Sequence, residues 1–362
     1  MYEKHYISDQ ELQKFQKKPY RFDNNLRSRL LYQEQRNNFP QLSKNLKQLK
    51  NQKKTDFEID NILIRLVLNI TRKTSVKANT FKSGNSQNKC KLCHLLPGQK
   101  GFPVLNQQYF VIPNPGITIS GDLTIPAIEH RNQEITGNFV DMLKLSKELY
   151  DYSIYFNGAM AGATCPHLHF QAGRQNILPG EKQILSIFKN NQISLNLEEI
   201  NKVKNVRIYR INDFYRECFL LIGQNMRAIQ YIFNGLMDKL RHINSLFEST
   251  QNIPHFGQYI SALDKKEEEA RINIMVNWDK DIHSYTVAIF PKRTNRPKIY
   301  YNPENKIILG MAIKEALGNI ITFRIEDYNR LKNSPSKIIR AFQETSVTKQ
   351  QGDKLTDYLV NM

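Results

Sequence analysis

Five consecutive residues, His167-Leu168-His169-Phe170-Gln171, place two imidazoles and a carboxamide at alternate positions. Side chains alternate between the two faces of a strand, so His167, His169 and Gln171 share one side while Leu168 and Phe170 turn into a core. Just upstream, Asn157 to Thr164 is a run of small residues around Gly158 and Gly162. Glycines let backbone N–H groups turn toward a ligand and approach it closely, which suits a phosphate. Pro166 biases Cys165 toward an extended conformation and leads the chain into the strand. A neutral imidazole, with an unperturbed pKa near about 6.5, is a good nucleophile toward phosphorus. Spacing alone also fits a polar stripe, or two core histidines with satisfied hydrogen bonds.

Two further groups of residues could do chemistry. Cys90 and Cys93 form a Cys-x-x-Cys pair, which reads as a zinc half-site, a redox pair or a chance spacing. The flanking sequence lacks the strand-to-helix context of a redox pair. Structural zinc takes four ligands, and His130 and His167 are the candidates to complete the set, with His94 as a rival. Far downstream, Lys292, Arg293 and Arg296 put three cations in five residues after a strand-like run. Such a loop suits phosphate or sugar-phosphate recognition, because arginine presents a fork that matches anionic oxygens. A solvated basic loop has the same composition.

Certain elements must hold these residues in place. Tyr109 to Pro115 and then Ile117 to Pro126 read as strand-like runs, and Glu134 to Tyr150 as an amphipathic helix. Asp151 to Phe156 is a strand entering the glycine loop. Ahead of them, helical periodicity appears around Leu30, Leu31, Phe39, Leu42 and Leu46. Phe57 to Asp60 and Ile62 to Leu68 read as strands turning at Asp60-Asn61, and Lys73 to Asn88 as a polar loop. Beyond a linker at Gln175 to Gly180, strands are predicted at Arg207 to Tyr215, Glu217 to Ile222, Arg271 to Trp278 and Tyr285 to Phe290. A long helix is predicted from Asn225 to Glu248, and a closing strand and helix over Thr322 to Gln343.

The 362 residues are enough for two packed units, and 40% hydrophobic content with 19 Phe and 17 Tyr allows real cores. No apolar run approaches the roughly 20 residues needed to cross a bilayer, and the N-terminus has no signal-peptide core. Four cysteines in so long a chain make no disulfide framework, so a reducing cytoplasm is expected. The net charge of +18 attracts polyanions in general, nucleic acid among them. No RNA- or DNA-binding motif accompanies the scattered lysines, so a composition-driven excess is the simpler reading.

The string Gly162-Ala163-Thr164-Cys165-Pro166-His167-Leu168-His169-Phe170-Gln171-Ala172-Gly173 resembles the signature of the histidine-triad superfamily, in its His-x-His-x-Gln branch. That branch includes galactose-1-phosphate uridylyltransferase, diadenosine tetraphosphate phosphorylase and GDP-hexose phosphorylase. The string is most similar to the last group and to a related bacterial family of the DUF4922 type. The resemblance implies an α+β fold of two halves, each an antiparallel sheet with packed helices. Residues 1–55 would be a basic helical arm, 56–175 the catalytic half, and 176–362 a degenerate second half without the histidine motif.

The resemblance further implies that His169 attacks the α-phosphate of a nucleotide, forming a nucleotidyl-histidine that phosphate or a sugar phosphate resolves. Gln171 would hold the transferring phosphoryl group, and His167 would orient the site or bind zinc. Asn114 falls where relatives contact the ribose. Asn157, Gly162, Thr164, Lys292, Arg293 and Arg296 would contact substrate. Zinc would sit on Cys90, Cys93, His130 and His167. Gln171 replaces the third histidine of the hydrolase branch, and an amide cannot act as acid or base, so a phosphorylated acceptor is expected in place of water. The expected substrate is a nucleoside-diphosphate sugar, GDP-hexose in particular. The alternatives are a dinucleoside polyphosphate or a role as a basic nucleic-acid-associated nucleotide-binding protein. Membrane attachment is not expected, and the chain is expected to act as a monomer or homodimer.

Overall fold

The computed structural model describes residues 2–17, 22–70, 90–187, 195–248 and 269–362, with side chains in the long helix only as far as Ile243. The Lys73–Asn88 stretch and His255 lie outside these residues. Three helices open the chain: α1 (Asp9–Gln13), α2 (Asn24–Asn38) and α3 (Pro40–Lys50). Ser8 and Asp23 cap α1 and α2 by accepting from Glu11 N and Leu26 N, and Pro40 starts α3. A hairpin follows, β1 (Lys54–Ile59) and β2 (Ile62–Leu68), turning through Asp60 and Asn61 with φ of 47° and 64°. Two consecutive positive φ values make a type I′ turn, where Asn and Asp are at home.

The catalytic half predicted from sequence contains β3 (Phe102–Val104), β4 (Tyr109–Pro113), β5 (Leu123–Pro126), α4 (Phe139–Glu148), β6 (Tyr152–Asn157) and β7 (His169–Arg174). After α5 (Pro179–Ser186) come β8 (Asn196–Val203), β9 (Val206–Asn212), β10 (Phe219–Gly223), α6 (Met226–Glu248), β11 (Ile272–Asp279) and β12 (Ser284–Pro291). The chain closes with α7 (Ile313–Ala316), β13 (Asn319–Thr322), α8 (Ile325–Asn333), α9 (Ser336–Thr345) and α10 (Lys349–Val360).

Ten strands form one sheet in the order β3-β4-β5-β7-β6-β11-β12-β10-β9-β8. The order reads as two copies of one pattern placed back to back. β5, α4, β6 and β7 recur as β10, α6, β11 and β12, and the copies meet where β6 pairs antiparallel with β11. A small sheet, β1-β2-β13, stands apart, with β13 parallel to β2.

Alternation along the strands sends side chains to two cores. Leu168, Phe170, Ile154, Ile274 and Val287 pack beneath α2, α4 and α6. Tyr155, Met275, Ala288 and Phe290 pack on the other face, against the small sheet, α5, α8 and α9. The first helices are docked, since Leu26, Leu30 and Leu31 are buried in the first core. Tyr2 stacks on Phe110 with ring centroids 4.7 Å apart, drawing the N-terminal residues onto the same half.

Candidate active site

β7 is extended and paired on both edges, with Pro126 of β5 opposite His169 and Tyr155 of β6 opposite Gln171. Leu168 and Phe170 are fully buried under the helices, so His169 and Gln171 face the other side, as the alternation predicts. The ladder to β6 does not continue regularly to its end. Instead the Gln133 side chain enters between the strands: its Oε1 accepts from His169 N at 2.8 Å. Its Nε2 donates to His169 O and Asn157 O at 3.1 and 2.9 Å. One carboxamide thus satisfies backbone groups that a ladder would otherwise pair.

His169 is 6% exposed, and its Nδ1 lies 2.7 Å from the His167 carbonyl. A carbonyl only accepts, so Nδ1 carries the proton and Nε2 holds a lone pair. Burial lowers the His169 pKa to about 4, which keeps the ring neutral at physiological pH. The Gly158–Thr164 loop joins β6 to the segment that enters β7. Gly162 has φ of 113°, and a Cβ there would meet Ala312 Cβ at 2.7 Å, so only glycine fits. Its N–H and that of exposed Thr164 have no acceptor among the described residues. Two such donors suit a phosphoryl oxygen.

The four sulfur and nitrogen ligands expected from sequence converge. Single ligand atoms of Cys90, Cys93, His130 and His167 all lie within 4.8 Å of one another. His167 Nδ1 is 3.4 Å from both Cys90 Sγ and Cys93 Sγ, and His130 Nδ1 is 3.1 Å from Cys93 Sγ. Such edges match a tetrahedron of soft and borderline donors. His167 Nε2 lies 2.8 Å from the Ala127 carbonyl, which protonates that nitrogen and turns Nδ1 to the group, an orienting contact typical of ligating histidine. His94, the rival ligand, is exposed and outside the group, because its position after the Cys93 turn points it to solvent.

The remaining predicted residues meet different fates. Asn157 is buried, and its Oδ1 accepts from Ile313 N at 2.8 Å. Asn114 closes a local turn by accepting from Gly116 N at 2.9 Å. Arg293 donates to the Glu344 carbonyl at 3.0 Å at the end of α9. Arg296 is buried, with Tyr300 4.7 Å from its guanidinium carbon and Gly310 beside it. Lys292 is buried as well.

Sequence reasoning missed the segment that joins these loops. From Leu309 to Ala316 the chain touches both halves: Met311 N donates to Asn295 O, Ala312 abuts Gly162, and Ile313 N meets Asn157. Lys314 then anchors it, its ammonium 2.7 Å from Asp122 and 2.8 Å from Thr118 in a buried ion pair. No local pattern marks this segment or Gln133, since both act across long sequence separations.

With this geometry in view, comparison with known proteins is informative. Residues 31–174 match the family model described as Domain of unknown function (DUF4922). That span contains the Cys/His group, the glycine loop and β7. The chain is similar in fold to the yeast Ap4A phosphorylase Apa2, with a TM-score of 0.54 at 10% identity over 90% of this chain and 95% of that one. The same yeast protein solved with Ap4A gives 0.50 at 10% identity, covering 88% and 97% of the two chains. Its complex with AMP gives 0.50 at 10% identity over 84% and 94%. No curated protein matches by sequence. The expected relation to DUF4922 holds over residues 31–174, and the chain has the expected α+β fold of antiparallel strands with packed helices. Among the described residues, no helix is long and apolar enough to cross a membrane.

Proposed function

We propose that the protein is a nucleotidyltransferase of the phosphorylase type, acting on dinucleoside polyphosphates through a nucleotidyl-His169 intermediate. The observation that carries this reading is the His169 ring, neutral and fixed through Nδ1, with Nε2 uncommitted. In the first displacement, Nε2 attacks the α-phosphorus, the bond to the bridging oxygen breaks, and the distal nucleotide leaves with that electron pair. An oxygen of inorganic phosphate then attacks the same phosphorus, the N–P bond breaks, and the lone pair returns to Nε2. Gly162 and Thr164 N–H groups and the Gln171 carboxamide stabilise the equatorial oxygens in both steps. Gln171 accepts no proton and so gives water no assistance.

The sequence reading favoured GDP-hexose. The fold likeness to a protein solved with Ap4A supports the dinucleotide alternative better. We also assign the Cys90, Cys93, His130 and His167 group to structural zinc. Four protein ligands would leave no open position for chemistry, and a bound ion would serve to fix His167, whose carbonyl holds His169.

The test is intact-protein mass spectrometry after mixing with diadenosine tetraphosphate, a GDP-hexose or diadenosine triphosphate, in each case without phosphate. An adenylyl adduct on His169, discharged by inorganic phosphate and absent in His169→Ala, is expected. The variant should also lose at least about a thousandfold in turnover. An adduct only from the GDP-sugar would return the substrate to the first reading, and no adduct from any would remove the enzyme reading.

A further inference from the structure

The chain has four cysteines, and the metal-type group takes two of them. Cys218 is fully buried in the second half. That leaves Cys165, half-buried in the segment entering β7, two residues ahead of His167. Its Sγ stands 3.8 Å from Cys90 Sγ, yet it falls outside the four-ligand cluster. Four protein donors complete a tetrahedral site, so Cys165 is a surplus thiol at the edge of a closed one. The displacements assigned to His169 do not use it.

The three neighbouring thiols differ in reach. Cys90 and Cys93 are 5% and 7% exposed, enclosed by the turn they form and by His130 and His167. Tyr2 covers the same turn, its hydroxyl donating to the Leu92 carbonyl. Cys165 follows exposed Thr164 and is the thiol of the three most open to solvent. An oxidant therefore meets Cys165 first and finds Cys90 next to it. A disulfide holds its sulfurs about 2.0 Å apart, so closure asks for a shift of roughly 1.8 Å, within the reach of a side-chain rotation.

The same contact leads on to His169. Cys90 Sγ is 3.4 Å from His167 Nδ1, and the His167 carbonyl holds His169 Nδ1. A Cys90–Cys165 bond removes Cys90 as a thiolate donor and draws on the backbone just before His167. The ring that depends on the His167 carbonyl then loses its support.

We propose that Cys165 is a redox-sensitive modification site, oxidised by a peroxide to a sulfenic acid that Cys90 resolves as a disulfide, dismantling the Cys/His group and disabling His169. In the first step the Cys165 thiol gives its proton to solvent, its sulfur attacks one peroxide oxygen, and the O–O bond breaks. The departing hydroxide takes up a proton and leaves as water. In the second step the Cys90 thiolate attacks Cys165 Sγ, the S–O bond breaks, and hydroxide again leaves as water. The two sulfurs give up two electrons in all, and the peroxide takes both. The loss of zinc and of His169 reactivity rests on the function proposed for those groups, whereas the bond itself does not.

The experiment treats the full reduced chain with hydrogen peroxide, maps disulfides by non-reducing peptide mass spectrometry, and follows zinc release with a chromogenic chelator. Wild type should form the Cys90–Cys165 bond and release its zinc, and dithiothreitol should reverse the bond. Cys165→Ser and Cys165→Ala should keep both zinc and His169 adduct formation before oxidation. Under the same peroxide they should release zinc at least about tenfold more slowly. Equal release from wild type and both variants, or oxidation that joins only Cys90 to Cys93, overturns the proposal. Protein purified without zinc would remove the metal reading, and a missing His169 adduct the nucleotidyl reading. In either case the disulfide map of the wild-type chain still decides this one.

Discussion

His169, the proposed nucleophile, illustrates how little of an imidazole's behaviour resides in its own side chain. The ring is neutral because it is buried, and its reactive nitrogen is chosen by a carbonyl two residues back. Glu181 is a contrasting case on the same face of the sheet. It is buried beneath Tyr155, whose hydroxyl lies 3.1 Å from Oε1, and desolvation raises its pKa from 4.5 to about 7. A carboxyl whose folded pKa is raised contributes stability that is complete below its unfolded value and lost as pH rises through the folded one. Wild type should therefore lose about 3 kcal/mol between pH 4.5 and 8 from this group, and Glu181→Gln should flatten that slope. Urea unfolding of both proteins at the two pH values measures the difference, and parallel slopes would refute it.

Elements here are fastened by single residues that bridge them. Gln133 replaces ladder bonds at the junction of β6 and β7, and Asn157 holds α7 over the sheet. The Cys/His group ties the Cys90–Cys93 turn, the segment after β5 and the entry to β7 into one knot, two residues before His169. The purified protein should contain one zinc per chain, and Cys93→Ser or a strong chelator should release it. Losing a tightly held ion should cost about 3 kcal/mol or more, read from the urea midpoint, with His169 adduct formation lost in parallel. Full stability and activity in metal-free protein would show that the knot holds without an ion.

At the scale of the molecule, the two halves share a sheet and cannot be treated as beads. β6 pairs with β11 over four residue pairs, and on the helical face Phe139 of α4 stacks on Phe233 of α6 with centroids 3.8 Å apart. Phe233→Ala removes a ring buried between the halves and should cost about 3–5 kcal/mol. Because the join is continuous, both halves should melt together. Fluorescence of Trp278, the chain's one tryptophan, reports the second half, and thiol labelling of Cys90 and Cys93 reports the first. Two separated transitions would show that the halves fold independently.

The chain by itself determined the strand alternation around His169, the turn at Asp60-Asn61 and the Cys90-Cys93 pair, while the full ligand set and the order of elements from β4 to β7 were expected from the family resemblance. The first three follow from local periodicity, backbone preference or a familiar spacing. The second half's strand pairs were legible for the same reason. What only the tertiary structure decided are relations across long separations. Among them are Gln133 wedged between strands, Leu309–Ala316 spanning two loops, and Arg293 turned away to α9. Side chains carry their chemistry in the sequence, but desolvation and charge proximity arise only when remote segments pack. The protonation states of His169 and of Glu181 are therefore properties of the fold.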